Sequence, residues 1–400
     1  MPLWNNCRMD TAHDRGARVE MLTTNRRAGV VTGVLIILSL AWWFVFHTAA
    51  FTCWDFRTNL WGPSYLLTQG QSPYKLDQLF ELGNAVWMPM IVGLFFPLGF
   101  LSLQQASNLW FLVNIVSLLC IVWISLDSRR PSVLLFASAL LLSLFFPPTV
   151  THIWAGQISI PVTLAMLTLA IWHDEMHIFW LAALMAIGLS KPQLAILVLP
   201  GLMIYRLKAQ GFQKTFQLGL YVLGCILVFL IPLFIAYPNW IPDFVSSIQQ
   251  NPSWAHPSSL YFLRTALPGI GTQAWVVLAV VVFILNLRLW MTLPQRDAAY
   301  WSLALTTLIS PYIWTWDFVL LLPLFISSLS KAKTKFSLGI LLAGCCIGWG
   351  WVTAMKLRGD VQESLFWWMP WVLVAFMTLS DRLQNQNRFS AEHSRLPNEK

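Results

Sequence analysis

"AGVVTGVLIILSLAWWFVFHTAAFTCWDFR", residues 28–57, decides the class of fold. Arg26 and Arg27 precede an unbroken apolar run, and beyond it stand an acid, Asp55, and a base, Arg57. A basic pair before an apolar stretch is also how a secretory leader begins. The run 28–50 is too long for a leader's apolar core, and many similar runs follow it. It therefore reads as an uncleaved first span, since a bilayer crossing needs about 20 apolar residues at helical rise. Composition agrees along the whole chain: of 400 residues, 57% are hydrophobic and 10% charged, against about 25% charged in ordinary soluble domains. The expectation is an all-α polytopic membrane protein, not a soluble domain with an anchor. The 23 tryptophans suit it, because indole rings favour the membrane–water interface and also line pockets for sugars and lipids.

Apolar runs between charge clusters begin near residues 28, 87, 107, 131, 156, 178, 192, 216, 273, 298, 316, 336 and 365. Arginine and lysine orient them, being enriched on the cytoplasmic side. Nineteen of the 25 cations then fall on one side: the N-terminal arginines up to Arg27, Arg129–Arg130, Arg206/Lys208/Lys214, Arg288/Arg296, Lys331/Lys333/Lys335, and Arg382 onward. This predicts a cytoplasmic tail over 1–27, one membrane domain over 28–381 and a second cytoplasmic tail over 382–400. Two cytoplasmic tails require an even number of crossings, and thirteen runs are odd. The short "WMPMIVGLFFPLGFL" at 87–101, with two prolines and two glycines, is one candidate for re-entry. The short pair 178–190 and 192–205 is another. The reading is eleven to thirteen transmembrane or re-entrant segments.

Two long connections fall on the extracytoplasmic side, 49–86 and 237–272. In the first, Leu76, Leu79, Phe80 and Gly83 recur at helical spacing, as in a short helix lying in the interface plane. The second is rich in proline and aromatics. No internal repeat or separate soluble domain is visible, and the last dozen residues read as a polar tail without fixed structure. The net charge of +8 does not point to nucleic acid, because no basic stripe interleaved with aromatics lies on a soluble face. Six cysteines without a C-x-x-C pair give no disulfide framework.

Several polar groups interrupt this apolar background. Asp55 stands where the first span ends, and an acid beside hydrocarbon is a functional candidate by default. Lys191, in "LMAIGLSKPQLAILVLP", has apolar sequence on both sides, so it must snorkel, pair with an acid or bind an anion. Pro192 beside it loosens the backbone, which membrane proteins tolerate where backbone lines a cavity. Asp317 joins Tyr312, Trp314 and Trp316 in "LISPYIWTWDFVLLLP". Arg264, with Tyr261 and His256, occupies the second long connection, and Gly156–Gln157 is a polar break between two spans. "HDEMH", with His173 and His177 four apart, imitates a zinc-protease helix. Its second position is Asp174, and it falls at a short cytoplasmic turn, so it reads as a solvated loop. No Walker-type loop, G-x-S-x-G or G-x-G-x-x-G is present, leaving nucleotide-driven transport and soluble-type hydrolysis without support.

Taken in order, these pieces resemble glycosyltransferase family 87. The resemblance is carried by Asp55-Phe56, Tyr65, "GQSPY" at 70–74, "FFPP…GQIS", "SKPQLAILVLP" and "SPYIWTWDFVLLLP", and it covers roughly residues 50 to 330. The chain departs at "VWMPMI", where a Tyr-Pro-Pro type sequence is usual and only Pro89 remains. The family includes mannosyltransferases of GT-C architecture that take sugar from a polyprenyl phosphate. The resemblance thus implies a hexosyltransferase in the cell membrane, working at its extracytoplasmic face with no metal, cofactor or nucleotide sugar. Its partners would be a polyprenyl phosphate-linked donor, an acceptor of unknown kind (lipid, glycan or protein) and the bilayer. Asp55 matches the catalytic acid of the family's first extracytoplasmic loop. Its task would be to take the acceptor's proton, kept ionised by Arg57. Because the leaving group is a phosphate, no second carboxyl is needed to protonate it, unlike in glycosidases. Lys191, Arg264 and Arg57 would bind the donor phosphate. Tyr65, Tyr74, Gln157, Trp314, Trp316 and Asp317 would contact sugar or lipid. Two other readings stand beside it: a transporter or flippase of lipid-linked sugars, with Lys191 and Asp317 lining the path, and a membrane polymer ligase.

Overall fold

The computed structural model describes residues 55–79, 87–126, 131–250, 254–332, 334–359 and 362–393, and every regular element among them is helical. The run 28–50, the N-terminal tail, Cys7, Cys53 and Arg129–Arg130 lie outside the described residues.

Asp55 stands at the head of a π-helical turn, Phe56–Trp61, that runs directly into α1, Gly62–Thr68. The Gly62–Pro63 pair, which looks like a break in the sequence, therefore lies inside a continuous helical stretch. Pro63 sits in the first turn of α1, where its missing N–H and fixed φ are tolerated. Only a single 3₁₀ turn, Leu76–Gln78, forms in the described part of the expected interfacial helix; Phe80 and Gly83 lie outside the described residues. α2, Pro89–Phe95, continues as a 3₁₀ turn, Phe96–Phe100, each with proline in its first turn. α3, Leu103–Ser125, starts on a capping box: Ser102 Oγ accepts from Gln105 N at 3.3 Å, and the Gln105 side chain accepts from Ser102 N at 3.2 Å.

The next elements are short because proline and glycine punctuate them. α4, Val133–Leu144, and α5, Pro147–Ala155, meet at a 63° bend ahead of Pro147–Pro148. Gly156 then ends α5 with φ 70°, a left-handed conformation that favours glycine. α6, Ser159–Trp172, α7, Ile178–Leu189, and α8, Pro192–Ala195, follow. α9, Val198–Ala236, is 39 residues long, but Gly211 breaks it at φ 82° close to Arg206, Lys208 and Lys214. The runs beginning near 192 and 216 are thus joined in one bent element. The second long connection holds two helices, α10 (Trp240–Gln249) and α11 (Ser259–Ala266). α12, Gly271–Thr292, and α13, Gln295–Ile309, lead to a 3₁₀ turn, Thr315–Leu321, and α14, Leu322–Lys331. α15, Lys335–Arg358, a 3₁₀ turn, Glu363–Phe366, and α16, Met369–His393, complete the described chain. The last helix thus continues well into the segment expected to be an unstructured tail; the stretch from Asp381 to His393 contains no proline or glycine to stop it.

Four helices are long and apolar enough to cross a membrane (α3, α9, α12 and α15), or five if the bent pair α4–α5 counts as one span. The other apolar runs are present as short helices, among them α6, α7 and Pro89–Phe100. The chain is an all-α polytopic membrane protein. α6, α13 and α14 are almost wholly buried, whereas α9 and α12 turn Leu227, Val228, Ile235, Val277, Val281 and Ile284 outward. Apolar side chains outside and helix breaks inside are the arrangement a lipid solvent selects. Close approach of two backbones fixes the first-loop region to this frame: a Cβ at Gly93 of α2 would collide with the Phe229 carbonyl of α9.

Candidate active site

The interruptions in these helices converge. Asp55 heads the π turn, Gln157 follows the left-handed Gly156, and Ser159 opens α6. Lys191 separates α7 from α8, and Asp317 lies in the first turn of Thr315–Leu321, which packs against both α5 and α6. Each of these positions is a place where the backbone leaves regular α-helix, so its side chain is presented at an element end instead of on a helix flank.

Their side chains form one chain of contacts. Asp55 Oδ1 accepts from Asn59 Nδ2 at 2.9 Å, and Oδ2 accepts from Gln157 Nε2 at 2.7 Å. Gln157 Oε1 accepts from Lys191 Nζ at 3.4 Å. Lys191 Nζ also donates to Ser159 Oγ at 2.9 Å and is ion-paired with Asp317. Ser159 Oγ donates to the same Asp317 oxygen, while Asp317 Oδ2 accepts the Trp314 N–H at 3.0 Å. Trp110 Nε1 pins the Gly156 carbonyl at 2.8 Å, which fixes the turn that delivers Gln157. The Lys191 ammonium also sits 5.4 Å from the centroid of the Trp87 ring, a cation–π distance.

Burial grades along this chain. Asp317 and Ser159 are fully buried, Lys191 and Gln157 are 3% exposed, and Asp55 is partly exposed. Burial pushes the Asp55 carboxyl above the ordinary carboxylate range, opposed by the Gln157 hydrogen bond, the Lys191 charge and the Asn59 hydrogen bond. The arrangement is a carboxyl on the less buried residue, held by two amides, with a compensated charge pair behind it.

An aromatic wall adjoins it. Trp314 Nε1 donates to Tyr312 Oη at 3.0 Å, and the Trp314 and Trp316 rings stack with centroids 5.0 Å apart. The His256 ring meets Tyr312 at 4.2 Å and Trp314 at 4.9 Å, edge to face. Burial lowers the His256 pKa against the pull of Asp317. Glu363 Oε2 accepts the Thr315 N–H at 3.3 Å. Burial raises the Glu363 carboxyl, and Asp317 and Asp55, both within electrostatic reach, raise it further.

The model of glycosyltransferase family 87 matches residues 86–311, more than half of the chain. The chain belongs to glycosyltransferase family 87. It is therefore a membrane glycosyltransferase. The matched segment contains Gln157, Ser159, Lys191 and His256, while Asp55, Asp317 and Glu363 lie on either side of it. No curated protein matches the chain.

Of the residues singled out in this family 87 chain, Asp55, Gln157, Lys191 and Asp317 meet directly, and Trp314 and Trp316 border them. The Gln157 hydrogen bond, the Lys191 charge and the Asn59 hydrogen bond favour the ionised form of Asp55, the role expected of Arg57. Lys191 has its ammonium buried on Asp317, not turned outward. Tyr65 stacks on Trp61 at 4.8 Å. Tyr74 is buried against Phe244 at 5.2 Å, in a separate apolar cluster with Leu66, Leu67, Val92 and Trp240. Arg264 is exposed on α11, with its Nε donating to Thr272 Oγ1 at 3.0 Å. His256 thus parts company with Arg264 and joins the aromatic wall. Reading the sequence assigned no role to Asn59, Ser159 or Glu363. Glu363 carried a usable signal, an acid bordering the apolar run that opens "LFWWMPWVLV". Asn59 carried none, being an ordinary polar residue until the fold pairs it, and Ser159 was visible only as the last residue of "GQIS".

Proposed function

We propose that this glycosyltransferase is an inverting enzyme moving a hexose, mannose by family likeness, from a polyprenyl phosphate donor to an acceptor hydroxyl at the extracytoplasmic face. The observation that carries the reading is the Asp55 carboxyl, held by Gln157 and Asn59 and backed by the buried Lys191–Asp317 pair. The acceptor oxygen attacks the anomeric carbon while Asp55 takes its proton. The bond from that carbon to the phosphate oxygen breaks, and polyprenyl phosphate leaves as an anion with both bonding electrons. A phosphate is stable in that form, so the site needs one base and not the carboxyl pair of a glycosidase. Gln157 donates to Asp55 and favours its ionised form, and the Lys191 charge favours it too. Arg57 and Arg264 are the cations we assign to the donor phosphate. Tyr65 and the tryptophans would serve the sugar or the isoprenoid.

Asp55→Asn keeps the shape and one of the two amide contacts but removes the base. The expected result is transfer from polyprenyl phosphate-mannose reduced by about 10²–10⁴-fold, with expression and Tm unchanged. Undiminished transfer by the purified variant would reject Asp55 as the base. A transporter would lack a transferred product altogether, so the same assay on the unaltered protein separates the two readings.

A further inference from the structure

Glu363 comes from the connection between α15 and α16, well outside the family-matched segment. Its carboxyl nevertheless reaches the Thr315 N–H, between the two stacked tryptophans Trp314 and Trp316. It lies within electrostatic reach of both Asp55 and Asp317. Asp55 and Asp317 act on Glu363 through their negative charge, and Lys191 is already paired with Asp317, so this end of the site repels a phosphate. A neutral polyhydroxyl ring meets no such repulsion. It can donate hydroxyl protons to a carboxylate and lay its C–H face on an indole. Two buried nitrogens in the same wall, Trp316 Nε1 and His256 Nδ1, have no hydrogen-bond partner among the described residues. Buried polar atoms are rarely left so, and a ligand with several hydroxyls would satisfy them.

We propose that Glu363, with the stacked Trp314–Trp316 pair and His256, forms the subsite that holds a neutral pyranose beside Asp55, and that the donor phosphate binds away from it. This rests on the transferase reading and names the substrate pole of that site. Glu363 is then a specificity-determining residue supplied by the C-terminal helices. Its carboxylate oxygens can accept hydrogen bonds from sugar hydroxyls.

The test uses the full chain in phosphatidylcholine nanodiscs and saturation-transfer NMR with the methyl α-pyranosides of mannose, glucose and galactose, with glycerol as the control. At least one glycoside should show transfer well above glycerol. Glu363→Ala and Trp316→Ala should weaken that binding about ten-fold. Glu363→Gln, which keeps an acceptor for the Thr315 N–H, should weaken it less. Polyprenyl phosphate without sugar should bind all four proteins alike. If plain polyprenyl phosphate binds more weakly than its mannosylated form and Glu363→Ala abolishes only that difference, the pyranose is the donor's. If glycoside binding survives saturation with the mannosylated lipid, the pyranose is the acceptor's. Glycosides no better than glycerol, or Glu363→Ala and Glu363→Gln both binding like the unaltered protein, would overturn the proposal. Normal transfer by Asp55→Asn alongside weakened glycoside binding in Glu363→Ala would sink the base assignment and leave the subsite standing.

Discussion

Two lysine–aspartate pairs in this chain make the same bond in opposite surroundings. Lys75 reaches Asp243 of α10 at 3.2 Å, with side chains 54% and 16% exposed, and ties the first extended connection to the second. Lys191 reaches Asp317 with side chains 4% and 0% exposed. The first pair exchanges water for a partner at little gain, since solvent screens it and two long side chains lose freedom. The second has been taken out of water entirely, and the desolvation is only offset because Ser159, Gln157 and the Trp314 N–H complete the shell. Stability alone does not explain such a pair, because apolar residues of similar volume often serve a core as well or better. Its position one amide away from Asp55 does.

That contrast is sharpest if one member of the buried pair is removed. Lys191→Ala leaves Asp317 buried without its counter-charge, a change that typically costs about 3–5 kcal/mol. We expect a large drop in thermal stability in detergent and loss of glycosyl transfer. The companion variant separates the two effects. Lys191→Met combined with Asp317→Leu should restore most of the lost stability but not the transfer, because Gln157 then has no cation behind it. A stable and active double variant would make the pair mere packing and break the comparison.

A smaller effect is expected one step nearer Asp55. Gln157 donates directly to Asp55, and its hydrogen bond lowers a carboxyl that burial raises. A base works only when ionised, so transfer should fall as pH drops through a pKa already above the ordinary aspartate value. Gln157→Leu removes an interaction that favours the ionised form, so the acid limb of kcat/KM should move to higher pH. An unmoved limb together with a lower plateau would show that Gln157 only packs the site.

Much of this site was legible because an apolar chain makes its polar residues conspicuous. Asp55, Gln157, Lys191 and Asp317 stand out against their neighbours, and the fold brings these four together. What sequence did not show is which charge compensates which. Arg57, two residues from Asp55, stood out in the sequence, whereas Asn59, four residues on in the helical turn and hydrogen-bonded to Asp55, did not. Lys191 and Asp317 are 126 positions apart, and only the packing of Thr315–Leu321 against α6 joins them. Spans were legible as apolar runs, whereas their interruptions were not. Pro147, Gly156 and Pro192 cut three of those runs into short helices whose ends supply the site. Tyr74 looked like a sugar platform because it is an aromatic in a polar motif, yet Phe244 and Trp240 claim it for a local core.

The smallest effect belongs to the exposed pair, and it completes the comparison. Asp243 draws its stability as an anion from several donors besides Lys75, including Tyr237 Oη at 2.9 Å and Ser72. Its carboxyl is held below the usual range despite some burial, and the Ser72 and Tyr237 hydrogen bonds contribute to this ahead of Lys75. Lys75→Ala should therefore leave Tm and transfer nearly unchanged in moderate salt, with any difference confined to low ionic strength, where surface charges are least screened. Thermal melts at two salt concentrations would show it. A salt-insensitive loss as large as that of Lys191→Ala would mean that the joint between the two connections is as integral to the fold as the buried network. The contrast drawn from burial would then no longer rank the two pairs.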